Sequence, residues 1–457
     1  MAKTLIASIS GIRGIFGRGL DAENIVRYAA SFGTWLRGRT GGVPVVVVGR
    51  DGRVTGPLCQ NLCVSALQSV GCTVIDAGMA TTPTIAMGVI EEKADGGIIL
   101  SASHNPAEWN ALKLLNHRGE FLSSEEGEEM LTIAHGDGPS YVEYEDIGSL
   151  ERRGYLDSHI EAILNLPYID ADAIAARRFK VVVDGINSVG GIAVPQLLRR
   201  LGVEEANITC LNCEATGFFA HEAEPLPANL TGLMTSVVEN GADLGIAVDP
   251  DVDRLAFVAD GGTYIGEEMT QVLAADFLWQ HRDGPFVTNL SSSRTIDDVA
   301  VRHGHEVFRS AVGEINVVKK MQAVGAVLGG EGNGGVILPD LHYGRDALVG
   351  IAMILQHLAA TGWRLSELYA DLPKYVIAKH KLPIAGREPD SLLKRLAERY
   401  ADADIDTTDG VKVNFPSGWV HVRKSNTEPI LRIYTEATSA EEADGLAERF
   451  KRELLEE

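Results

Sequence analysis

Asp249-Pro-Asp-Val-Asp-Arg254 sets three carboxylates at alternate positions. In an extended loop they converge only if a cation offsets their repulsion. Hard oxygen donors in this number suit Mg2+ better than zinc. The glycine and distal glutamate of an EF-hand loop are absent. The alternative is a solvated acidic turn, or carboxylates pairing with Arg254. Arg423-Lys-Ser-Asn-Thr-Glu-Pro429, followed by Arg432, reads as an anion cradle. Its guanidinium forks match phosphate oxygens two at a time. A β-turn bearing surface arginines would look the same. Gly330-Glu-Gly-Asn-Gly-Gly335 carries one carboxylate and one amide in a glycine-rich loop that could hold sugar hydroxyls.

Ser103 lies just past the apolar run 97–100, in Ser101-Ala-Ser-His-Asn-Pro106. A serine hydroxyl keeps its proton at neutral pH, so Ser103 either caps a helix or carries chemistry assembled from elsewhere in the chain. If the three aspartates hold Mg2+ beside it, it could be a phosphoserine whose oxygen completes the metal shell. Phosphoryl transfer depends mostly on positioning and on neutralising charge at the moving group. Lys113 would assist as a nearby cation or proton donor. This reading requires the Ser103 oxygen to lie close to the aspartates and to open onto a cavity.

Apolar β-branched runs such as 45–48 and 181–183 alternate with amphipathic stretches, which predicts α/β layers with mostly parallel sheets. Ser123 with Glu126, and Ser158 with Glu161, have capping-box spacing. The pattern of residues 94–106, a short apolar strand ending in a polar loop, recurs at 242–254 and more loosely at 325–335. Plausible partner strands precede each copy at 45–53, 180–188 and 285–294. Three related α/β units explain this, with ligands expected beyond the carboxyl ends of the strands. After residue 384 the pattern changes to one helix, strands near 411–415, 419–422 and 430–435, and a closing helix starting near Ser439. That is an α+β module.

The chain has 457 residues, 45% hydrophobic and 23% charged, with a formal net charge of −22. This composition fits a soluble protein of several domains. The acidic balance argues against sequence-independent nucleic-acid binding. We read no signal peptide and no apolar run long enough to cross a bilayer, so the cytoplasm is the simplest compartment. Cys210-Leu-Asn-Cys213 is a lone CxxC, read as ordinary thiols.

Together and in this order, the serine loop SASHNP, the acidic loop DPDVDR, the glycine loop GEGNGG and the loop RKSNTEPILR resemble the α-D-phosphohexomutase family. The resemblance covers nearly the whole chain. It implies four domains around a central cleft: three related α/β domains with mixed sheets (1–153, 154–255 and 256–368) and a C-terminal α+β, TATA-box-binding-protein-like domain (369–457). It implies a phosphorylated Ser103, with Mg2+ held by Asp249, Asp251, Asp253 and a phosphoserine oxygen. A hexose 1,6-bisphosphate would serve as activator and intermediate. Arg423, Ser425, Asn426, Thr427 and Arg432 would hold the idle phosphate, and Glu331 and Asn333 would read ring hydroxyls. Arg13, His104 and Lys113 would face the reacting phosphate, with Arg254 also catalytic.

ISGIRG (9–14) and GEGNGG resemble most the phosphoglucosamine mutase branch, which implies conversion of glucosamine 6-phosphate to glucosamine 1-phosphate. A phosphomannomutase/phosphoglucomutase is the alternative, and a phosphatase or a non-catalytic sugar-phosphate-binding protein lies outside the class. A monomer or homodimer with no nucleic-acid or membrane partner is expected. Several positions depart from the family. Asn333 and Gly335 stand where many relatives have serine and histidine, which leaves His104, Lys113 and the HYGRD segment (342–346) as general-base candidates. Ala111 replaces a glycine and Ser101 a threonine.

Overall fold

The computed structural model describes residues 4–8, 11–384, 386–425 and 430–456. Val45–Arg50, Gly96–Leu100, Val181–Asp184 and Leu244–Val248 are apolar runs buried over nearly their whole length. Strands of this kind need cover on both faces. In the first sheet the period of two divides them cleanly. Val46, Val48, Ile98 and Leu100 pack with Ile25, Cys59 and Met130 of three helices on one face. Val47 and Ile99 pack with Ile85 and Val89 of helix Thr82–Glu91 on the other.

The strand order of that sheet is Ile6–Ser8, Gly11–Ile15, Trp109–Asn116, Gly96–Leu100, Val45–Arg50, Thr73–Met79, Leu150–Arg152. Val45–Arg50 runs parallel to both neighbours. Trp109–Asn116 returns antiparallel to Gly96–Leu100 and pairs with Gly11–Ile15. The second sheet repeats the device. Val181–Asp184 lies parallel to Ile208–Leu211 and Leu244–Val248, and Leu255–Ala259 returns antiparallel to Leu244–Val248. Residues 101–108 and 249–254 are therefore equivalent turns, each at the end of a buried strand. This is the physical content of the first two sequence copies. In the third copy Leu328–Glu331 joins Phe286–Asn289 and Val307–Ser310 in parallel before its glycine loop.

The C-terminal sheet is antiparallel, in the order Val376–Pro383, Ile430–Ala437, Gly418–Lys424, Val411–Phe415, Ile405–Asp406. Helices Pro389–Arg399 and Ala440–Leu455 share one core with it through Leu392, Leu396, Phe450 and Leu454. By contacts the chain forms two compact units, Met1–Thr270 with Asn333–Tyr369, and Gln271–Gly332 with Ala370–Glu457.

Ser123 forms a reciprocal capping box with Glu126, and the Ser439 side chain caps the last helix. Ser158 does not cap: its helix, Leu156–Leu164, begins after Tyr155, and the Ser158 hydroxyl donates back to the Tyr155 carbonyl. Tyr155 is buried, with its hydroxyl on Glu92, so tertiary packing sets that helix start. All five cysteines are free thiols. No single helix among the described residues is long and apolar enough to cross a membrane.

Candidate functional site

In the first unit the serine loop and the acidic loop meet. Ser103 Oγ donates to Asp249 Oδ2 at 2.6 Å. Ser103 is buried and adopts φ +48°, a left-handed conformation that costs a non-glycine residue about 1–2 kcal/mol. Two contacts hold it there: its N–H donates to Ser101 Oγ at 2.9 Å, and its carbonyl accepts from Arg53 at 2.6 Å. The acidic loop has its own left-handed residue, Val252 at φ +63°. Asp249 Oδ1 accepts the backbone N–H groups of Asp253 and Arg254, each at 3.1 Å, which folds the loop around that carboxylate.

Asp249, Asp251 and Asp253 are buried and each offers an oxygen within 4.8 Å of the others. Both oxygens of Asp249 accept hydrogen bonds, and Asp251 and Asp253 each have one oxygen tied to the protein. Asp251 Oδ2 accepts from Thr82 Oγ1 at 2.5 Å and from Lys113 Nζ at 2.6 Å. Asp253 Oδ2 accepts from Arg345 at 2.6 Å, with Lys113 Nζ 3.6 Å away. The remaining oxygens, Asp251 Oδ1 and Asp253 Oδ1, are buried and accept no hydrogen bond. Buried carboxylate oxygens without a partner are costly. A hard divalent cation would satisfy them, so the donor set fits Mg2+.

The charges agree with this geometry. Burial, then Asp253 and Asp251, push the Asp249 carboxyl well above the usual range. Burial would also raise Asp251, but Lys113 outweighs it and holds that carboxyl below its ordinary value. Burial would lower Lys113, and Asp251 and Asp253 reverse that, so the ammonium stays charged. His104 is pushed down to about 3 by burial, then by Arg254, Arg345 and Lys113, and is neutral at physiological pH. Its Nδ1 is buried without a hydrogen-bond partner.

The other expected residues fall in different places. Arg13 stands opposite Ala111 in the strand ladder, on the sheet face that also bears Lys113 two residues on. Arg254 is buried, with Glu224 3.6 Å away. The HYGRD segment divides. Arg345 faces Asp253, whereas His342 and Asp346 turn to a buried cluster with His159. There Asp346 caps helix Ala347–Thr361 through Oδ1, and Oδ2 lies 2.9 Å from His159 Nε2 and 3.4 Å from His342 Nε2. Thr84 Oγ1 sits 3.0 Å from His159 Nδ1, so the chain hydrogen-bonds this cluster internally. Asn333 is half-buried in the turn before Gly334, whose φ is +88° and where a Cβ would meet the Leu255 carbonyl at 2.3 Å. Gly335 likewise has no room: a Cβ there would lie 2.3 Å from the Arg345 side chain.

In the second unit Glu331 is buried at its strand end, and Oε1 accepts from Asn289 Nδ2 at 3.0 Å and the Gly313 N–H at 3.1 Å. Arg423 and Arg432 are directly paired on adjacent antiparallel strands. The Arg423 Nε lies 3.0 Å from Asp409, and Arg432 donates to Tyr434 Oη at 3.3 Å. Ser425 opens the connecting loop, its N–H on the Ile430 carbonyl. Asn426 and Thr427 lie outside the described residues.

Sequence reasoning missed Arg53, Asp51 and Thr82. Residues 49–53 (GRDGR) end one of the expected partner strands, but nothing in their spacing ties them to residue 103. Thr82 reaches the acidic loop through both its hydroxyl and its backbone N–H, the latter on the Asp251 carbonyl at 2.9 Å.

Comparison with known proteins places this geometry. Four successive descriptions of phosphoglucomutase/phosphomannomutase match the chain: alpha/beta/alpha domain I at residues 6–138, domain II at 157–262, domain III at 266–375 and the C-terminal domain at 384–453. The chain is 39% identical to a phosphoglucomutase/phosphomannomutase of Thermococcus kodakarensis, over 95% of this chain and 94% of that one. It is 36% identical to a probable phosphoglucosamine mutase of Methanopyrus kandleri, over 96% of each. Among solved structures, a phosphoglucomutase/phosphomannomutase family protein of Burkholderia thailandensis superimposes with a TM-score of 0.86 at 28% identity, covering 99% of this chain and 98% of that one. With three α/β domains, a C-terminal α+β domain and relatives named as mutases along its whole length, the chain is an enzyme of the α-D-phosphohexomutase family.

Proposed function

We propose that the protein moves a phosphoryl group between the 6- and 1-positions of a hexose phosphate, with Ser103 as carrier. The observation that carries this reading is the 2.6 Å contact between Ser103 Oγ and a carboxylate of the aspartate triplet. When phospho-Ser103 reacts, the Oγ–P bond breaks and phosphorus bonds to the free sugar hydroxyl oxygen; that hydroxyl gives up its proton and the freed Ser103 Oγ takes one up, so no net proton is released. The bisphosphorylated sugar then turns over. Ser103 Oγ gives up its proton and bonds to the other phosphoryl group, that sugar ester bond breaks, and the released sugar oxygen takes a proton, which restores the balance. Asp249, Asp251 and Asp253 would hold Mg2+, which when bound neutralises charge on the phosphoryl oxygens. Lys113, charged and anchored on Asp251 and Asp253, adds a fixed positive group near that site. The neutral His104 adds no charge to the approach of an anion.

The other end of the sugar calls for a clamp that serves both orientations. The paired Arg423 and Arg432, with Ser425, Asn426 and Thr427, supply it, and Glu331 and Asn333 read ring hydroxyls. Arg13 and Arg254 complete the set around the reacting phosphate. The same reading divides the chain at 153/154, 255/256 and 368/369, with four domains around a cleft, and takes a hexose 1,6-bisphosphate as activator.

Glucosamine 6-phosphate is the substrate we favour, in line with relatives named phosphoglucosamine mutase. The Thermococcus kodakarensis phosphoglucomutase/phosphomannomutase favours mannose or glucose phosphate as the second reading. A coupled assay with trace bisphosphate, run in parallel on glucosamine, glucose and mannose phosphates, decides among them. A mutase isomerises without net phosphate release, a phosphatase releases phosphate, and a binding protein does neither. Ser103→Ala should lower turnover by at least ~10³-fold with the fold retained. Unchanged turnover rules out the serine carrier.

A further inference from the structure

Arg53 is fully buried, and every N–H of its guanidinium group is used. Nε donates to Asp51 Oδ2 at 3.0 Å. Nη1 donates to the carbonyls of Pro106 at 2.7 Å and Trp109 at 2.9 Å. Nη2 donates to the carbonyls of Ser103 at 2.6 Å and Asn105 at 2.8 Å. Three of the five donors therefore grip the backbone of the serine loop itself, and a fourth holds Trp109, where the next strand begins.

Asp51 closes the ring from the other side. Its Oδ2 also accepts from Ser101 Oγ at 2.7 Å, and Ser101 Oγ in turn accepts the Ser103 N–H at 2.9 Å. Both backbone groups of the strained serine thus lead back to one Arg53–Asp51 pair. The acidic loop is tied to the same motif. The Gly52 N–H donates to Ser188 Oγ at 3.0 Å, and that hydroxyl donates to the Pro250 carbonyl at 2.6 Å. A side chain at position 52 would collide with Ser188, its Cβ 2.8 Å from the Ser188 Cα. So residues 51–53 hold both halves of the contact between Ser103 and Asp249.

We propose that Arg53 is a positioning residue for phosphoryl transfer: it holds Ser103 in its left-handed conformation and so fixes where the carrier oxygen points. Misplacing a reacting atom by about 1 Å costs on the order of 10²-fold in rate. Arg53 reaches the serine loop only through backbone carbonyls, so its loss acts on the transfer step and leaves the phosphate clamp of the second unit untouched. Lysine cannot substitute. It keeps the charge opposite Asp51 but has three donors in place of a planar five-donor fork. This inference rests on Ser103 being the carrier.

The test is Arg53→Lys in the full chain, assayed on whichever of glucosamine, glucose and mannose phosphates the parent isomerises. Amide hydrogen exchange across residues 101–109 is measured without substrate. We expect kcat to fall by about 10²-fold, KM to stay within threefold, and the Ser103 amide to exchange faster. A folded Arg53→Lys protein with parental kcat or parental exchange overturns the proposal, as does a KM that rises by the same factor as kcat falls. If that variant does not fold, Ser101→Ala decides. It removes the acceptor for the Ser103 N–H and should lower kcat by about tenfold, with Ser101→Thr restoring it because the hydroxyl returns. A parental kcat in Ser101→Ala then overturns the proposal. Ser103→Ala in the same assay separates the two ideas. If it stays active, or the parent isomerises none of the three, the serine-carrier reading falls and the clamp's role with it. If it is inactive while Arg53→Lys is parental, the clamp alone falls.

Discussion

Replacing Lys113 with methionine keeps most of the side-chain volume and removes one charge. In the parent, the ammonium lies 2.6 Å from Asp251 Oδ2 and 3.6 Å from Asp253 Oδ2, against two carboxylates with no exposed surface. Removing one partner of a buried pair costs about 3–5 kcal/mol. Thr82 and Arg345 still hold these oxygens in the variant, which places the expected cost near the lower end, about 3 kcal/mol. At roughly 2–4 °C per kcal/mol for a large domain, that is a fall in Tm of about 6–12 °C. The assay is thermal unfolding of parent and variant, in EDTA and in saturating Mg2+. In EDTA the full deficit should appear. With Mg2+ it should shrink to half or less, because the ion supplies positive charge beside the same carboxylates. The sign with pH is also fixed. Lys113 holds Asp251 below its ordinary value, so the stability it confers is fully present above the unfolded carboxylate value and is lost as pH falls from there through the lower folded value. The gap between the two proteins should therefore begin to narrow below about pH 4 and go on narrowing as pH falls further. A deficit equal with and without Mg2+, or no deficit in EDTA, refutes Lys113 as counter-ion to a metal site.

The His104 imidazole, held at about 3 by burial and three nearby cations, should show no titration step between pH 5 and 8 in NMR of the Ser103→Ala protein; a step near 6.5 contradicts the site electrostatics. Its folded value lies below the unfolded one, so the associated stability is present above about pH 6.5 and is lost as pH falls from there. Arg423→Ala should raise KM by about 10- to 100-fold for both the 1-phosphate and the 6-phosphate, the worth of a charge-assisted pair of hydrogen bonds. A rise confined to one isomer argues against a shared clamp.

Ser103 and the three aspartates, which the fold brings together, were legible because each is a side chain of telling type at telling spacing. Three aspartates at alternate positions announce a cation, and a serine at the end of an apolar strand asks for one. The strand–loop–strand repeat was legible for a similar reason, since buried strands leave unbroken apolar runs. The supports were not legible. Arg53 acts on four carbonyls, and backbone acceptors leave no mark in sequence. Thr82 and Arg345 arrive at Asp251 and Asp253 from distant segments, one at a helix start and one after the glycine loop. Arg345 and Asp346 are neighbours in the chain yet serve different partners, so HYGRD could not be read as one functional unit. The Ser158 cap failed because a buried Tyr155 decides where that helix begins.

These supports answer a problem that the sequence poses but does not solve. Both loops place a non-glycine residue at positive φ, Ser103 in one and Val252 in the other. Glycine would adopt either conformation without strain, but it has no hydroxyl to offer at 103. A serine in so tight a turn must therefore be held against its own backbone preference. Holding it needs an acceptor for its N–H and a donor for its carbonyl, one on each side of the residue, which the Arg53–Asp51–Ser101 ring provides. The acidic loop solves the same problem with backbone N–H groups on Asp249 and with Ser188 on the Pro250 carbonyl. Because Gly52 joins the two solutions, a shift in either loop is resisted by the other, and the distance from Ser103 Oγ to Asp249 is set by the whole ring rather than by either turn.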